Sequence, residues 1–189
     1  MKKALIRKEM LVKRRNMTDS ECGRLSTAIC ERFLQSDEYK RASTVLLYKA
    51  YNKEVDTDMI FKQAISDGKK VAYPLSKIIN GEPELTFYFV NDLSDMKNGY
   101  MGIYEPDPDI GSEPFNGCAD ICITPGVAFD RTGNRVGYGK AFYDRYIRRH
   151  RPGKVIGLAY ELQITDEIEP GTRDIPVDIV ITDKAVFGS

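Results

Sequence analysis

The sequence lacks tryptophan and has only one histidine and four cysteines among its 189 residues. The cysteines form no CxxC pair, so their spacing does not support a zinc site, and we expect reduced thiols. Lys and Arg together number 28, as do Asp and Glu, which leaves no net charge. A neutral chain gives no overall argument for nucleic acid or an acidic membrane as a partner. The four cysteines are Cys22, Cys30, Cys118 and Cys122.

Long apolar runs are also missing, and none approaches the roughly 20 residues that a membrane helix needs. The first residues, MKKALIRKEMLVKRR, include lysines but no apolar core, which is unlike a secretory signal. We therefore expect a cytoplasmic protein. The length predicts a single α/β domain over residues 1–189.

Helix signals are clear at four places in the chain. Thr18 and Glu21 have the spacing of a capping box at the start of a helix. Asp56 or Thr57 can cap a shorter helix further on. The predicted helices run over Lys2–Arg15, Thr18–Leu34, Asp56–Ile65 and Lys140–Arg149.

Strand signals alternate with these helices. Several of the strands are continuous apolar runs, which are typical of parallel strands covered on both faces. The pattern predicts an α/β fold with three layers: a mostly parallel, Rossmann-like sheet with helices on both faces. The strands are expected in STVLLYKAY, KKVAYPL (ended by Pro74), ELTFYFV (a hairpin partner after NGEP), ADICITPG, KVIGLAY and DIVIT, with NGYMGIYEPDPDIGSEPFNG irregular.

Ligands of such sheets bind beyond the carboxyl ends of the strands. The loops after LLYKA, VAYPL and ICITPG are therefore the candidate binding loops. After the third of these comes the most unusual stretch, NRVGYGKAFYDRY, which spans residues 134–146.

This stretch combines glycines with charges at the start of a helix. Gly137 and Gly139 allow the backbone to approach a ligand closely, and the N–H groups of a helix start can face a phosphate. Lys140 and Arg145 add positive charge. Asp144 makes sense beside phosphates if Mg²⁺ lies between them. Neither GxxxxGK[ST] nor GxGxxG is present, so a plain glycine turn before a core-packing helix stays open.

The longer run ITPGVAFDRTGNRVGYGKAFYDRY resembles the signature of the 5-formyltetrahydrofolate cyclo-ligase family, also called 5,10-methenyltetrahydrofolate synthetase. Further segments resemble the family in the same order, namely KALIR, NKEVDT, YMGIYEP and RDIPVDIVIT. The signature positions that match are Pro125, Gly126, Ala128, Phe129, Asp130, Gly133, Arg135, Gly137, Gly139, Tyr143 and Asp144.

The resemblance implies an enzyme that uses ATP and Mg²⁺ to convert 5-formyltetrahydrofolate, polyglutamylated or not, into 5,10-methenyltetrahydrofolate, with release of ADP and phosphate. The formyl oxygen would be phosphorylated and N10 would then close the ring. Such chemistry needs positioning and charge neutralisation more than a covalent nucleophile. We expect a monomer whose partner is this small molecule, not nucleic acid or a membrane.

The resemblance also implies roles for individual residues. The nucleotide would be bound by Lys3, Arg7, Arg135, Gly137, Tyr138, Gly139, Lys140, Ala141, Phe142, Tyr143 and Arg145. Lys140, Arg135 and Tyr143 would serve the chemistry, and Asp144 and Asp174 would hold Mg²⁺. The folate would contact Lys49, Glu54, Tyr104, Tyr138, Gly139, Lys140 and Phe142.

Simpler explanations stand beside several of these roles. The helix with Lys3 and Arg7 fits a solvated basic helix, Glu54 an acidic residue before a helix, and Asp174 an ordinary loop aspartate. Ala141 departs from the family, which usually has glycine there, and the methyl is an obstacle if the position needs positive φ. Secondary candidates are Tyr48, Tyr51 and Glu105 for the cleft, Phe87 and Phe89 for pterin stacking or core, and His150 for a solvated helix end.

Three other functions remain open from the sequence. A kinase or ligase with another acceptor would keep the phosphate-binding residues but have no use for Glu54. A folate or nucleotide sensor would bind without releasing ADP. A nucleic-acid protein is supported only by the basic segment RYIRRHRPGK.

Overall fold

The computed structural model describes residues 3–110 and 112–188. Its helices are α1 (Lys3–Asn16), α2 (Asp19–Gln35), α3 (Asp37–Arg41), α4 (Asp58–Ser66) and α5 (Phe142–His150). Its strands are β1 (Thr44–Leu46), β2 (Lys70–Ile79), β3 (Glu82–Phe89), β4 (Met96–Asn98), β5 (Tyr104–Pro106), β6 (Ile121–Thr124), β7 (Ala128–Asp130), β8 (Arg135–Val136), β9 (Lys154–Leu158), β10 (Ile164–Thr165), β11 (Ile179–Ile181) and β12 (Val186–Gly188).

Seven strands form the main sheet in the order β12-β11-β9-β6-β1-β2-β3. The five inner strands pair in parallel, and β3 and β12 pair antiparallel at the two margins. From β1 the chain runs to β2 on one side and later returns to β6 on the other. The carboxyl ends of β1 and β6 therefore form the point where ligands bind in open α/β sheets.

Side chains alternate between the two faces of the sheet, as expected for strands. On β6, Ile121 and Ile123 pack in the cluster that contains residues of α2 and α4. Cys122 between them packs on the other face, against Tyr146 of α5. Helices cover both faces, so the predicted three-layer, mostly parallel α/β fold is confirmed.

The helix predictions agree with the structure to within a few residues. The capping box is confirmed, because Thr18 Oγ1 accepts the N–H of Glu21 and the Glu21 carboxylate accepts the N–H of Thr18. At the start of α4, the Asp56 carboxylate accepts the N–H of Asp58, whereas Thr57 makes no capping bond. Within residues 3–110 and 112–188, no helix is long and apolar enough to cross a membrane. Lys2 lies outside the described residues.

The prediction that Pro74 ends its strand is wrong, because β2 continues to Ile79. The carbonyl of Ala72 accepts the N–H of Leu47, so Ala72 faces the β1 side. Alternate residues of a strand face the same neighbour, so Pro74 also faces that side. β1 pairs with β2 only as far as Ala72. The missing N–H of Pro74 therefore costs no ladder hydrogen bond.

The hairpin between β2 and β3 is confirmed. It turns at Asn80 and Gly81, which both have positive φ, as a two-residue type I′ turn requires. The segment predicted to be irregular contains β5, which pairs antiparallel with β4 at the start of the segment. The sequence analysis also missed β7, β8, β10 and β12, which are only two or three residues long.

The three-stranded sheet β10-β7-β8 carries α1, whose Ile6 and Met10 pack on Val127 and Val136. Asp130 ties this small sheet together. Its carboxylate accepts hydrogen bonds from both the N–H and hydroxyl of Thr132, from the N–H and side-chain amide of Asn134, and from the N–H of Ile168. Burial by itself would raise the pKa of Asp130, but these donors outweigh it and hold the pKa below its usual value.

Asp130→Ala is therefore expected to lower the free energy of unfolding by about 3 kcal/mol, because several buried donors lose their acceptor. Urea unfolding measures this loss. The pKa of Asp130 is depressed in the fold, so its contribution is present above the unfolded value and disappears as the pH falls through the folded value. Asp166→Ala, at an exposed carboxylate nearby, is the matched control. Equal stabilities of the two variants would contradict the prediction.

Candidate active site

A cavity of about 270 Å³ lies at the carboxyl ends of β1, β2 and β6. Its walls come from the start of α1, from the loops after β1 and β6, from β2 at Pro74 and Ser76, from residues 100–105, and from the segment that leads into α5. The predicted site residues that line it are Lys3, Arg7, Lys49, Glu54, Tyr104, Arg135, Gly137, Tyr138, Gly139, Lys140, Ala141, Phe142, Tyr143, Asp144 and Asp174. The structure thus brings together all but one of the predicted site residues.

The exception is Arg145. Its guanidinium makes ion pairs with Glu82 (2.5 Å) and Glu84 (3.5 Å) of β3, outside the cavity. Asp144 faces the cavity, and the next residue of a helix points about 100° away from it. The geometry therefore argues against the nucleotide contact that we expected from Arg145.

One end of the cavity is basic. Lys3 and Arg7 reach it from α1, one helical turn apart, and Arg135 reaches it from β8. Arg7 Nε donates to the carbonyl of Gly137 at 2.7 Å. Burial, with the nearby guanidinium groups of Arg135 and Arg7, lowers the pKa of Lys3 even though Asp144 opposes this effect. Two of these cations are ion-paired within the chain, Lys3 with Asp174 and Arg135 with Asp144.

Two polar atoms at the basic end are buried without a hydrogen bond, namely Nε and Nη2 of Arg135. Nη2 lies 3.1 Å from Asp144 Oδ1, so the pair is ionic without hydrogen-bond alignment. Lys140 lines the same end, is exposed, and makes no ion pair or hydrogen bond within the described residues. Lys140 is therefore free to bind an anion, whereas Arg135 would share its charge between the anion and Asp144.

Two carboxylates lie beside these cations. Asp144 Oδ1 accepts the N–H of Ile175 at 3.0 Å, and Asp174 Oδ2 pairs with Lys3 and accepts the N–H of Gly171. Within the described parts of the chain, no group of three or more His, Cys, Asp or Glu side chains could hold a metal. Mg²⁺ takes one or two carboxylates plus phosphate oxygens and waters. The pair therefore fits Mg²⁺ if phosphate supplies the remaining ligands.

The opposite end of the cavity holds Glu54, which is only 7% exposed. Its Oε2 accepts the N–H of Tyr51, whereas Oε1 is buried and has no hydrogen-bond partner. Burial raises the pKa of Glu54 to about 7, against the opposing effects of Arg14, the Tyr51 N–H and the Tyr138 hydroxyl. A carboxylate oxygen without a partner at this depth is suited to accept donors from a ligand.

Arg14 was missed by the sequence analysis. It is 1% exposed, and its guanidinium lies between Glu54, the Tyr138 hydroxyl and the carbonyl of Gly126. A signal was available in the sequence, because Arg14 follows Ile6 and Met10 at four-residue spacing, on the buried stripe of α1.

Aromatic rings form much of the wall between the two ends. The rings of Tyr51 and Tyr138 lie 6.2 Å apart, and Tyr100 meets Phe142 edge-on at 5.9 Å. Tyr104 is 54% exposed at the cavity. Flat apolar walls of this kind suit a planar ring system.

The secondary candidates divide between the cavity and the core. Tyr48 lines the cavity, as Tyr51 does, while Phe87 is core and packs on Tyr146. Glu105 also lines the cavity, but both its oxygens are engaged by the N–H groups of Ser76 and Tyr100. Glu105 therefore holds a loop in place. Of the rest, Phe89 packs on Phe115 and His150 stacks on Tyr146. Lys49, one of the expected folate contacts, lines the cavity and is ion-paired with Asp58.

Ala141 occupies the position just before α5 and has a φ of 56°, in the left-handed region. Gly139, two residues earlier, has a φ of 94° and passes close to the Arg7 guanidinium. Left-handed backbone costs an L-residue with a side chain about 1–2 kcal/mol relative to glycine. The position does need positive φ, so the alanine is strained.

Ala141→Gly is expected to raise the free energy of unfolding by about 1 kcal/mol, because it relieves this strain. Thermal or urea unfolding measures the change, and turnover should be equal or higher. The control is Ala28→Gly within α2, where glycine should destabilise by about 1 kcal/mol. A loss of stability in both variants would mean that the Ala141 methyl is packed favourably.

The fold and the cavity together define an α/β enzyme whose site joins a cluster of cations to a buried carboxylate. The chain belongs to the 5-formyltetrahydrofolate cyclo-ligase family, whose model matches residues 1–183. It is accordingly a ligase.

Similar proteins agree with this assignment. The Haemophilus influenzae protein named 5-formyltetrahydrofolate cyclo-ligase is 29% identical, with 95% of this chain and 97% of that protein covered. The Escherichia coli (strain K12) protein of the same name is 27% identical, with 93% and 97% covered. The solved structure of Aquifex aeolicus 5,10-methenyltetrahydrofolate synthetase is 33% identical, has a TM-score of 0.84, and matches 100% of this chain and 93% of its own.

Proposed function

We propose that this protein converts 5-formyltetrahydrofolate into 5,10-methenyltetrahydrofolate, with ATP converted to ADP and phosphate and with Mg²⁺ required. The observation that carries the proposal is the pairing, in one cavity, of buried Arg135 nitrogens without hydrogen bonds and a buried Glu54 oxygen without one. The first group suits phosphate, and the second suits the donor edge of a pterin.

At the basic end, Lys3, Arg7 and Arg135 bind the phosphates of ATP. Lys140 is exposed on the loop before α5 and supplies a mobile charge to the phosphoryl group in transfer. The glycine-bounded segment 137–139 lets backbone N–H groups approach the same phosphates. Phosphoryl transfer depends mostly on positioning and on fixed positive charge, which this end provides.

The reaction itself needs two steps. The formyl oxygen of the folate attacks the γ-phosphorus of ATP, the bond to the bridging oxygen breaks, and ADP leaves. N10 then attacks the activated formyl carbon, the carbon–oxygen bond breaks, and phosphate departs with the former formyl oxygen. The N10 proton passes to the departing phosphate, whose oxygens are the base released beside the reacting carbon. Tyr143 and Phe142 enclose the reacting groups and keep water out.

Mg²⁺, when bound between Asp144, Asp174 and the phosphate oxygens, would neutralise charge that develops on those oxygens. Asp144 is suited to this role because its Oδ2 makes no hydrogen bond within the described residues. The N–H of Ile175 fixes the other oxygen of the same carboxylate. Asp174 is ion-paired with Lys3, so it would bind Mg²⁺ either in place of Lys3 or together with it.

At the acidic end, Glu54 accepts the N–H donors of the pterin, and Tyr51, Tyr104 and Tyr138 lie along the faces of the ring. We infer that the formyl group lies between the two ends, near residues 139–143, which line the same cavity. A buried carboxylate with one oxygen that accepts no hydrogen bond favours the proposed reaction over a kinase with another acceptor, which would have no use for it.

The test is the near-ultraviolet absorbance of the methenyl product. Purified protein is mixed with 5-formyltetrahydrofolate, ATP and Mg²⁺, and ADP is measured in parallel. We expect absorbance and ADP to rise together and to depend on all three components. Binding of both ligands without either product would instead indicate a sensor. ADP formation without methenyl product would indicate another acceptor.

A further inference from the structure

Arg14 is a buried charge with no part in the reaction described above. It is 1% exposed and lies on α1 among apolar side chains. Burying a guanidinium is costly unless its surroundings compensate. The compensation here is incomplete, because Arg14 Nε has no hydrogen-bond partner. A cost of this kind is retained where the charge acts on a neighbour.

The contacts of Arg14 identify that neighbour. Nη1 donates to the carbonyl of Gly126 at 3.3 Å and lies 4.0 Å from Glu54 Oε1. Nη2 donates to the hydroxyl of Tyr138, and the guanidinium carbon lies 5.8 Å from the centre of that ring. Arg14 thus contacts Glu54 at the acidic end of the cavity and Tyr138 in the segment between β8 and α5.

Other titratable groups also face the Glu54 carboxylate, but none of those that the structure describes is a second cation. Tyr160, which follows β9, donates its hydroxyl to the Glu54 carbonyl rather than to the carboxylate. The remaining groups are tyrosines: Tyr48 after β1, Tyr51 on the same loop, Tyr138 before α5 and Tyr143 on α5. Burial favours the neutral form of Glu54, and Arg14 is the charged group that opposes it, together with hydrogen bonds from the Tyr51 N–H and the Tyr138 hydroxyl.

We propose that Arg14 is a positioning residue that favours the ionised form of Glu54 and holds the Tyr138 ring against the cavity. What this does for the folate rests on the proposed function, but the effect on Glu54 is a property of the free protein. Arg7 binds the carbonyl of Gly137 and Arg14 binds the next residue, Tyr138. One face of α1 therefore fixes the phosphate-binding loop and the carboxylate together.

The direct test is a carboxyl ¹³C NMR titration of Glu54 in the free protein, with the signal assigned from Glu54→Gln. Arg14→Gln should raise the pKa of Glu54 by about one unit or more, because the opposite charge is removed. Arg14→Lys, which keeps the charge, should give a smaller rise. Arg15→Gln, at an exposed arginine of the same helix, should leave the titration unchanged. An unchanged pKa in folded Arg14→Gln would overturn the proposal.

Ligand binding gives a second, separable readout. At neutral pH, Arg14→Gln should weaken 5-formyltetrahydrofolate binding by about tenfold, with recovery as the pH rises through the raised pKa of Glu54. The ATP affinity should stay the same. If Arg14→Gln does not fold, Arg14→Lys decides: folate affinity should fall while ATP affinity holds, and equal losses would overturn the proposal. If the wild-type protein binds no folate, the proposed function is wrong. The NMR titration in the free protein would still show whether Arg14 lowers the pKa of Glu54.

Discussion

Asp144→Asn is expected to lower turnover by about 1,000-fold or more while the fold stays intact. Loss of one electrostatic contact to a transferring phosphoryl group costs on this scale. The fold should survive because the asparagine carbonyl can still accept the N–H of Ile175. The pairing with Arg135 becomes weaker but keeps its shape. Single-turnover formation of the methenyl product measures the loss, and the unfolding midpoint checks the fold.

Asp166→Asn serves as the control for this variant, since Asp166 is exposed and does not line the cavity. Raising the Mg²⁺ concentration should restore part of the activity of Asp144→Asn if the defect is weaker metal binding. Activity equal to the wild type would remove Asp144 from any role with Mg²⁺. A lower unfolding midpoint together with lower activity would show that the Asp144 carboxylate is needed for the structure instead.

Glu54→Gln is expected to weaken 5-formyltetrahydrofolate binding by about 100-fold, or about 2.7 kcal/mol, with ATP binding unchanged. Hydrogen bonds to a charged acceptor are worth about 1.5–3 kcal/mol each, and the amide replaces one acceptor oxygen with a donor. Calorimetry with each ligand alone measures the difference. Equal losses for both ligands would place the pterin elsewhere.

The same variant has a characteristic pH dependence. Burial raises the pKa of Glu54 to about 7, so the wild-type protein should bind folate more weakly as the pH falls through that value. Glu54→Gln cannot titrate, so its folate affinity should stay flat over the same range. Glu105→Gln is the matched comparison, because Glu105 is also buried at the cavity but has both oxygens occupied. A sloping profile in Glu54→Gln would assign the titration to another group.

The sequence was sufficient for the features that depend on local chemistry. Thr18 and Glu21 form the capping box, Asn80 and Gly81 form the turn, and the apolar runs form the parallel strands. The main candidate loops also meet at one cavity, because the carboxyl ends of parallel strands share an edge. The roles of the individual site residues stay predictions until the variants are made.

Features that depend on contacts between distant segments were not accessible in the same way. Proline interrupts a strand only where a neighbouring strand would accept the missing N–H. At Pro74 there is no such neighbour, because β1 pairs with β2 only as far as Ala72. Arg145 is one position from Asp144 but faces β3, because a helix turns by about 100° at each residue. Arg14 resembles the exposed basic residues around it. Only its four-residue spacing from Ile6 and Met10 indicates that it lies on the buried face of α1.

The ion pair between Lys3 and Asp174 joins positions that are 171 residues apart in the sequence. Closing a loop of this length costs conformational entropy, and folds rich in such contacts form more slowly. A growing chain on the ribosome has no complete cavity until Asp174 has emerged, because Asp174 lines it together with Lys3. Substrates can stabilise only a protein that already binds them, so they would protect the finished enzyme from degradation but give no help to a nascent one.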